Sequence, residues 1–236
     1  ILLADTGNIT VSVLEAGGAV SLTATLGAIV DGLTGNGSNI DGETADVSFS
    51  AATGIGSGAQ ALYTRVKSIA ASNVTSGGLY LIEATGLVLN SVSLSGTGGD
   101  LVVQTNDGSL TVTGALTATG AAGNVLLQAR KQGATPANVT IANNITVSAG
   151  SLSVLAADGV VLGDNNAASN LPKLETLGIG QTIDVQAGQG VAMEADARLL
   201  SRDGNIHVLA LSGDLTVGVI TSGTGNVSLT ASGAIL

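Results

Sequence analysis

Aliphatic and small polar residues alternate along this chain in runs of about five positions, the two-residue period of a half-buried strand. Ile9-Thr10-Val11-Ser12-Val13, Val47-Ser48-Phe49, Leu110-Thr111-Val112, Leu152-Ser153-Val154 and Val227-Ser228-Leu229 all read this way. One stretch, 61–72 (ALYTRVKSIAAS), is ambiguous between helix and strand. The strands begin alike: Gly, then Asn, Asp, Ser or another small residue, then the alternation. That start occurs at Gly7-Asn8, Gly99-Asp100, Gly108-Ser109, Gly123-Asn124, Gly150-Ser151, Gly204-Asn205, Gly213-Asp214 and Gly225-Asn226. Glycine suits such turns because it adopts backbone conformations that other residues resist.

Written under one another, residues 77–98, 99–122, 180–203 and 204–224 share a frame of 22, 24, 24 and 21 residues. Each holds a strand, a Gly turn, a second strand, a short third apolar touch and a Gly-rich corner. A unit this small cannot bury its apolar face alone and must be covered by the next copy. The pattern therefore predicts one all-β domain over 1–236, a right-handed parallel β-helix (β-solenoid). It would have about ten coils of roughly 21–27 residues, making a rod on the order of 45–50 Å long at ordinary strand spacing. The rival is a pair of antiparallel β-sandwiches of about 100 residues each. Sandwiches do not usually repeat coil by coil, and they usually carry core aromatics.

Three segments break the rhythm, 31–46, 130–138 and 163–180. They are polar or hold the only prolines, Pro136 and Pro172. They are expected as loops bulging from coil corners, and as the places where a partner would be contacted. A longer recurrence overlies the coils: GNITVSVLEAGGAVSLTA at 7–24 returns as GDLTVGVITSGTGNVSLTA at 213–231. Gly7 matches Gly213 and Gly18 matches Gly225, offsets of 206 and 207 residues. With Ile1 as its first residue, the chain reads as a piece of a longer repetitive protein.

Composition narrows the function. Hydrophobic residues are 44% of the chain but aromatics only 1%, namely Phe49, Tyr63 and Tyr80, so the interior must be built of similar aliphatic layers. The 35 glycines follow no every-third-residue rule, which excludes collagen. Net charge is −10 with only 7 Lys and Arg, too few cations for nucleic-acid or anionic-membrane binding. No apolar run approaches the length of a transmembrane helix. The absence of cysteine removes disulfide and thiolate chemistry and is compatible with a secreted bacterial protein.

The succession of GTGGDLVVQTNDGSLTV (97–112), GAAGNVLLQA (120–129), SGTGNVSLTASGAIL (222–236) and TGIGSGAQALYTRVKSIAA (53–71) resembles the repetitive shaft of very large bacterial exoproteins. The chain is similar in this way to filamentous haemagglutinins and related giant adhesins over essentially its whole length. That resemblance implies a right-handed β-helix, export across the outer membrane to the cell surface or medium, and a role in attachment or surface-matrix formation. It supplies no catalytic residues to carry over, and the sequence itself leads to no expected cofactor or metal. The secretion-recognition region found at the amino end of such proteins is not within these residues.

Each candidate site has a plainer reading beside it. Gly96–Val102 (GTGGDLV) fits one calcium-binding β-roll nonapeptide, but such sites need successive copies, and a corner turn is expected. Asp31, Asp41, Glu43 and Asp46 gather acid in one loop that could weakly hold Ca²⁺, but without EF-hand spacing they read as solvated loop charge. Asn8, Asp100, Asn124, Asn205, Asp214 and Asn226 could form an external stripe that reads a partner. Their structural reading is left-handed turn geometry, bonds to nearby backbone, and pairing along the rod axis. His207, the only histidine, points outward between Ile206 and Val208. Glu194, Asp196, Arg198, Arg202 and Asp203 could serve a polysaccharide lyase or hydrolase, or simply pair as surface ions. The sequons at Asn8, Asn73, Asn138, Asn144 and Asn226 follow from the turn-then-strand grammar.

The sequence therefore points to a non-catalytic structural shaft segment of a secreted or surface adhesin. Its partners would be its own neighbouring coils, host or surface glycans and proteins, or other copies end to end. A carbohydrate-binding or carbohydrate-degrading β-helix and a self-assembling filament or surface-layer module are the alternatives.

Overall fold

The structure is a computed structural model describing every residue except Asn36, Ala122 and 164–170, and all side chains but those of Ala71 and Asn73 within strands. Its described residues form strands, turns and bends with no helix, and every strand pairing among them is parallel. The chain is a parallel β-solenoid. One interior column can be followed through the register: Ile9, Ile29, Ile55, Leu79, Leu101, Val125, Leu152, Ile183, Ile206 and Val227 stack in turn. Those nine steps make nine turns rather than ten, a height of roughly 43 Å. The spacing runs from 20 residues (Ile9 to Ile29) to 31 (Leu152 to Ile183), wider than expected because the longest coil carries the 163–180 insertion.

Coils four to nine have a triangular outline. A five-residue side such as Leu101–Thr105 is followed by two three-residue sides such as Leu110–Val112 and Leu116–Ala118, with burial alternating strictly along each. The five-residue sides stack three interior columns. Two are aliphatic, one beginning Leu79, Leu101, Val125 and the other Leu81, Val103, Leu127. The third narrows from Glu83 and Thr105 to Ala129, Ala156, Ala187 and Ala210. Complete burial of each Val, Leu or Ile contributes about 1.5–3 kcal/mol, so repetition substitutes for the missing aromatics.

The first three coils have the same outline in a different phase. Their five-residue side, Val20–Ala24 and then Val47–Ala51, comes last in the coil instead of first. The change is made by two long strands, Ile40–Ala51 and Leu62–Val74. These pair with bulges between Gly42 and Asp46 and between Val47 and Ser48. Leu62–Val74 then carries parts of three different strands above it: Leu79–Glu83, Leu87–Leu89 and Val92–Leu94. Phe49, the one large core ring, lies under the small Ser72 at this junction.

Two expected loops need correction. Ile29–Asp31 and Ile40–Ala51 are strands, so of the 31–46 segment only 32–35 and 37–39 lie outside strands among the described residues. Within 163–180, Lys173–Thr176 is strand, with Leu174 and Thr176 inward and Lys173 and Glu175 outward; residues 164–170 lie outside those described. Segment 130–138 is a loop as expected. The ambiguous 61–72 stretch is strand, because Leu62, Thr64, Val66 and Ser68 alternate inward.

Candidate functional site

The corner Asn and Asp residues bond upward. Asn8 Oδ1 accepts the Ala28 amide (2.9 Å), Asp100 Oδ1 that of Asn124 (2.8 Å) and Asn124 Oδ1 that of Ser151 (3.0 Å). Asn205 does the same for Asn226 (2.9 Å), and Asp214 for Ala234 (2.8 Å). Asn138 and Asn144, flagged as sequons, serve Gly159 and Lys173 in the same way. Each side-chain oxygen thus satisfies a corner amide that the strand ladders leave over. The reason is not left-handed backbone: among the described residues the only non-glycine with positive φ is Asp203. Its carboxylate is held below the usual range by the Thr224 amide and hydroxyl. Gly96–Asp100 is a corner too, leading into the strand Leu101–Thr105; Gly98 and Gly99 have φ of 79° and 99°.

Three of the four acids, Asp41, Glu43 and Asp46, are partly or largely solvent-exposed and ion-paired. Arg65 in the third coil grips Asp41 with Nε and a terminal nitrogen, both at 2.9 Å, and reaches Glu43 at 3.0 Å. Asp46 is held below its ordinary range chiefly by the Ser68 hydroxyl, with Lys67 nearby. Asp31 accepts from the Leu33 amide and from Asn39. Among the described residues no group of three or more His, Cys, Asp or Glu is placed to hold a metal ion.

The charge cluster at 194–203 separates onto two corners of one coil. Glu194 and Asp196 sit before the strand Arg198–Ser201, and Arg202 and Asp203 after it. Among the described residues no ion pair joins Asp196, Arg198, Arg202 and Asp203 to one another, though the Arg202 charge helps to hold the Asp203 carboxyl down.

His207 faces outward, and its Nδ1 lies 2.8 Å from Asp184 Oδ1 on the coil below. The other Asp184 oxygen accepts from Gln186. Ser228 is the register partner of His207 on the coil above, so Asp, His and Ser follow one another along the rod. No hydrogen bond links His207 to Ser228, so the nucleophile–base contact of acyl-transfer chemistry is not formed.

The loop 130–138 is fastened from both sides. Asp107 accepts the Gln132 and Gly133 amides, and Asp158 accepts from the Ala137 amide and Lys131, which keeps both carboxyls below the ordinary range. Beside it a groove of about 430 Å³ is lined by Gln128, Arg130, Leu155, Gln186 and Leu211.

One group escaped the sequence reading. Glu83 ends the strand Leu79–Glu83 in an inward position and is wholly buried. The signal was available: a carboxylate in phase with Leu79 and Leu81. No family model, curated protein or solved structure matches this chain.

Proposed function

We propose that the chain is a shaft segment of a large, secreted or cell-surface bacterial adhesin, working mechanically rather than catalytically. The observation that carries this reading is the unbroken parallel stack. Interior columns run through all nine coils, and the corner side chains are spent on joining one coil to the next. Such a body resists bending and holds whatever lies beyond it away from a surface. Small outward hydroxyls and amides with few cations keep it soluble and non-adhesive along its sides. Immunogold labelling of intact producing cells with antibody to this segment is expected to decorate fibres projecting from the outer surface. Label confined to the cell interior would overturn the reading.

The groove beside the 130–138 loop supports a second reading, a carbohydrate-binding solenoid. Amides of Gln128 and Gln186, the Arg130 guanidinium and two leucine side chains make a sugar-compatible lining. Retention of glycans by the native chain, lost in Arg130→Ala, would favour this reading; an inert glycan array would leave the shaft alone.

A further inference from the structure

The joint between the third and fourth coils contains a buried acid without a counter-ion. Strand pairing there skips: Thr64 pairs with Glu83 and Ser68 with Val88, leaving Val66 beneath a new corner. The Glu83 carboxylate occupies that gap. It accepts the Val66 amide at 3.2 Å, the Thr64 hydroxyl at 2.7 Å, and the Thr85 amide and hydroxyl at 3.2 and 3.1 Å. It therefore replaces the missing rung and caps its own corner.

Its surroundings supply no matching cation. Arg65, on the strand below, is engaged outward by Asp41 and Glu43 and reaches Glu83 only through its field. Lys67 turns to Asp46. On the coil above, Thr105 donates to Gly108, and Asp107 is taken up by the 130–138 loop. Burial accordingly pushes the Glu83 carboxyl up to about 7, against an ordinary 4.5.

We propose that this joint is proton-operated: neutral Glu83 locks coil four onto coil three, and its ionisation lets the rod yield there first. In the neutral form the Thr64 hydroxyl, which donates to the carboxylate, rotates to accept the carboxyl proton instead, and the Val66 and Thr85 amides keep their acceptor. Between the ordinary and the raised pKa the closed joint binds the extra proton, so closure weakens as pH rises through that window and levels off above about 7. A shaft so built is stiffest in mildly acidic surroundings.

The test is amide exchange of the intact chain from pH 4.5 to 8.5, corrected for intrinsic rates. Opening of 62–69 and 79–89 is expected to rise about tenfold per pH unit below 7, on the order of a hundredfold in all. Segments 152–156 and 183–187 should stay flat. Glu83→Gln should flatten the joint's response while the upper segments remain protected. Carbon-13 titration of the five glutamates in the unaltered chain gives an independent check, with one carboxyl expected near 7. Uniform pH response across the rod, an unchanged slope in the Gln variant, or every glutamate titrating near 4.5 would each overturn the proposal.

Discussion

The first three coils and the six above them use the same strand grammar and differ in where the long side falls. Val20–Ala24 and Val227–Ala231 have the same five residues, VSLTA. The first closes its coil, stacking under Val47–Ala51, whereas the second opens one, stacking on Ile206–Ala210. The 206–207 residue recurrence is thus not a whole number of coils; it is a repeat of grammar read in two phases. Phase is set by neighbours rather than by the strand itself. Changing it puts polar groups inside: Asn39, Thr64, Ser68, Ser72 and Glu83 are all buried in coils two to four. The Ser72 hydroxyl is buried there without a hydrogen-bond partner. The upper coils confine buried polar residues to strand ends and corners, as with Thr176 and Ser201.

This contrast can be broken by moving the acid. Ala187 occupies the column position that Glu83 occupies in coil four. Ala187→Glu should cost about 3–5 kcal/mol, because no gap in the ladder presents donors to it; a urea midpoint at pH 7 measures this. Truncating an upper aliphatic column, Leu127→Ala, should cost about 3 kcal/mol by the same assay through lost burial and a residual cavity. Glu83→Ala should cost less, about 1–3 kcal/mol at pH 7, since it removes a buried charge but orphans the Val66 amide. The smallest effect is expected at a corner: Asn124→Ala loses the acceptor for Ser151 and about 1 kcal/mol. Asn124→Asp keeps that acceptor and should be close to neutral. A loss in Asn124→Asp equal to that in the alanine variant would show that the amide, not the acceptor oxygen, matters there.

Much of this was legible from local pattern. All eight Gly-plus-small-residue starts precede strands, and the loop at 130–138 stands as read. Period and corner chemistry act over a few residues, which a sequence displays directly. Lys173–Thr176 was obscured because two charges on its outward face resemble a loop, although Leu174 and Thr176 keep the inward rhythm. Asp41, Glu43 and Asp46 looked like free acid because Arg65 and Lys67 lie about one coil further along the chain. The phase change itself depends on which strand lies beneath which, and no window of one coil contains that information.

The most direct test of this stacking uses paired cysteines, which the native chain lacks. Tyr63 and Ile82 are outward-facing register partners across the joint. Tyr63→Cys with Ile82→Cys should form a disulfide readily on mild oxidation, since neighbouring parallel strands bring Cα atoms within bonding range. If that pair stays reduced while Ile82→Cys instead joins Asn73→Cys, the long sides stack like upon like through the joint, and the two-phase account is wrong.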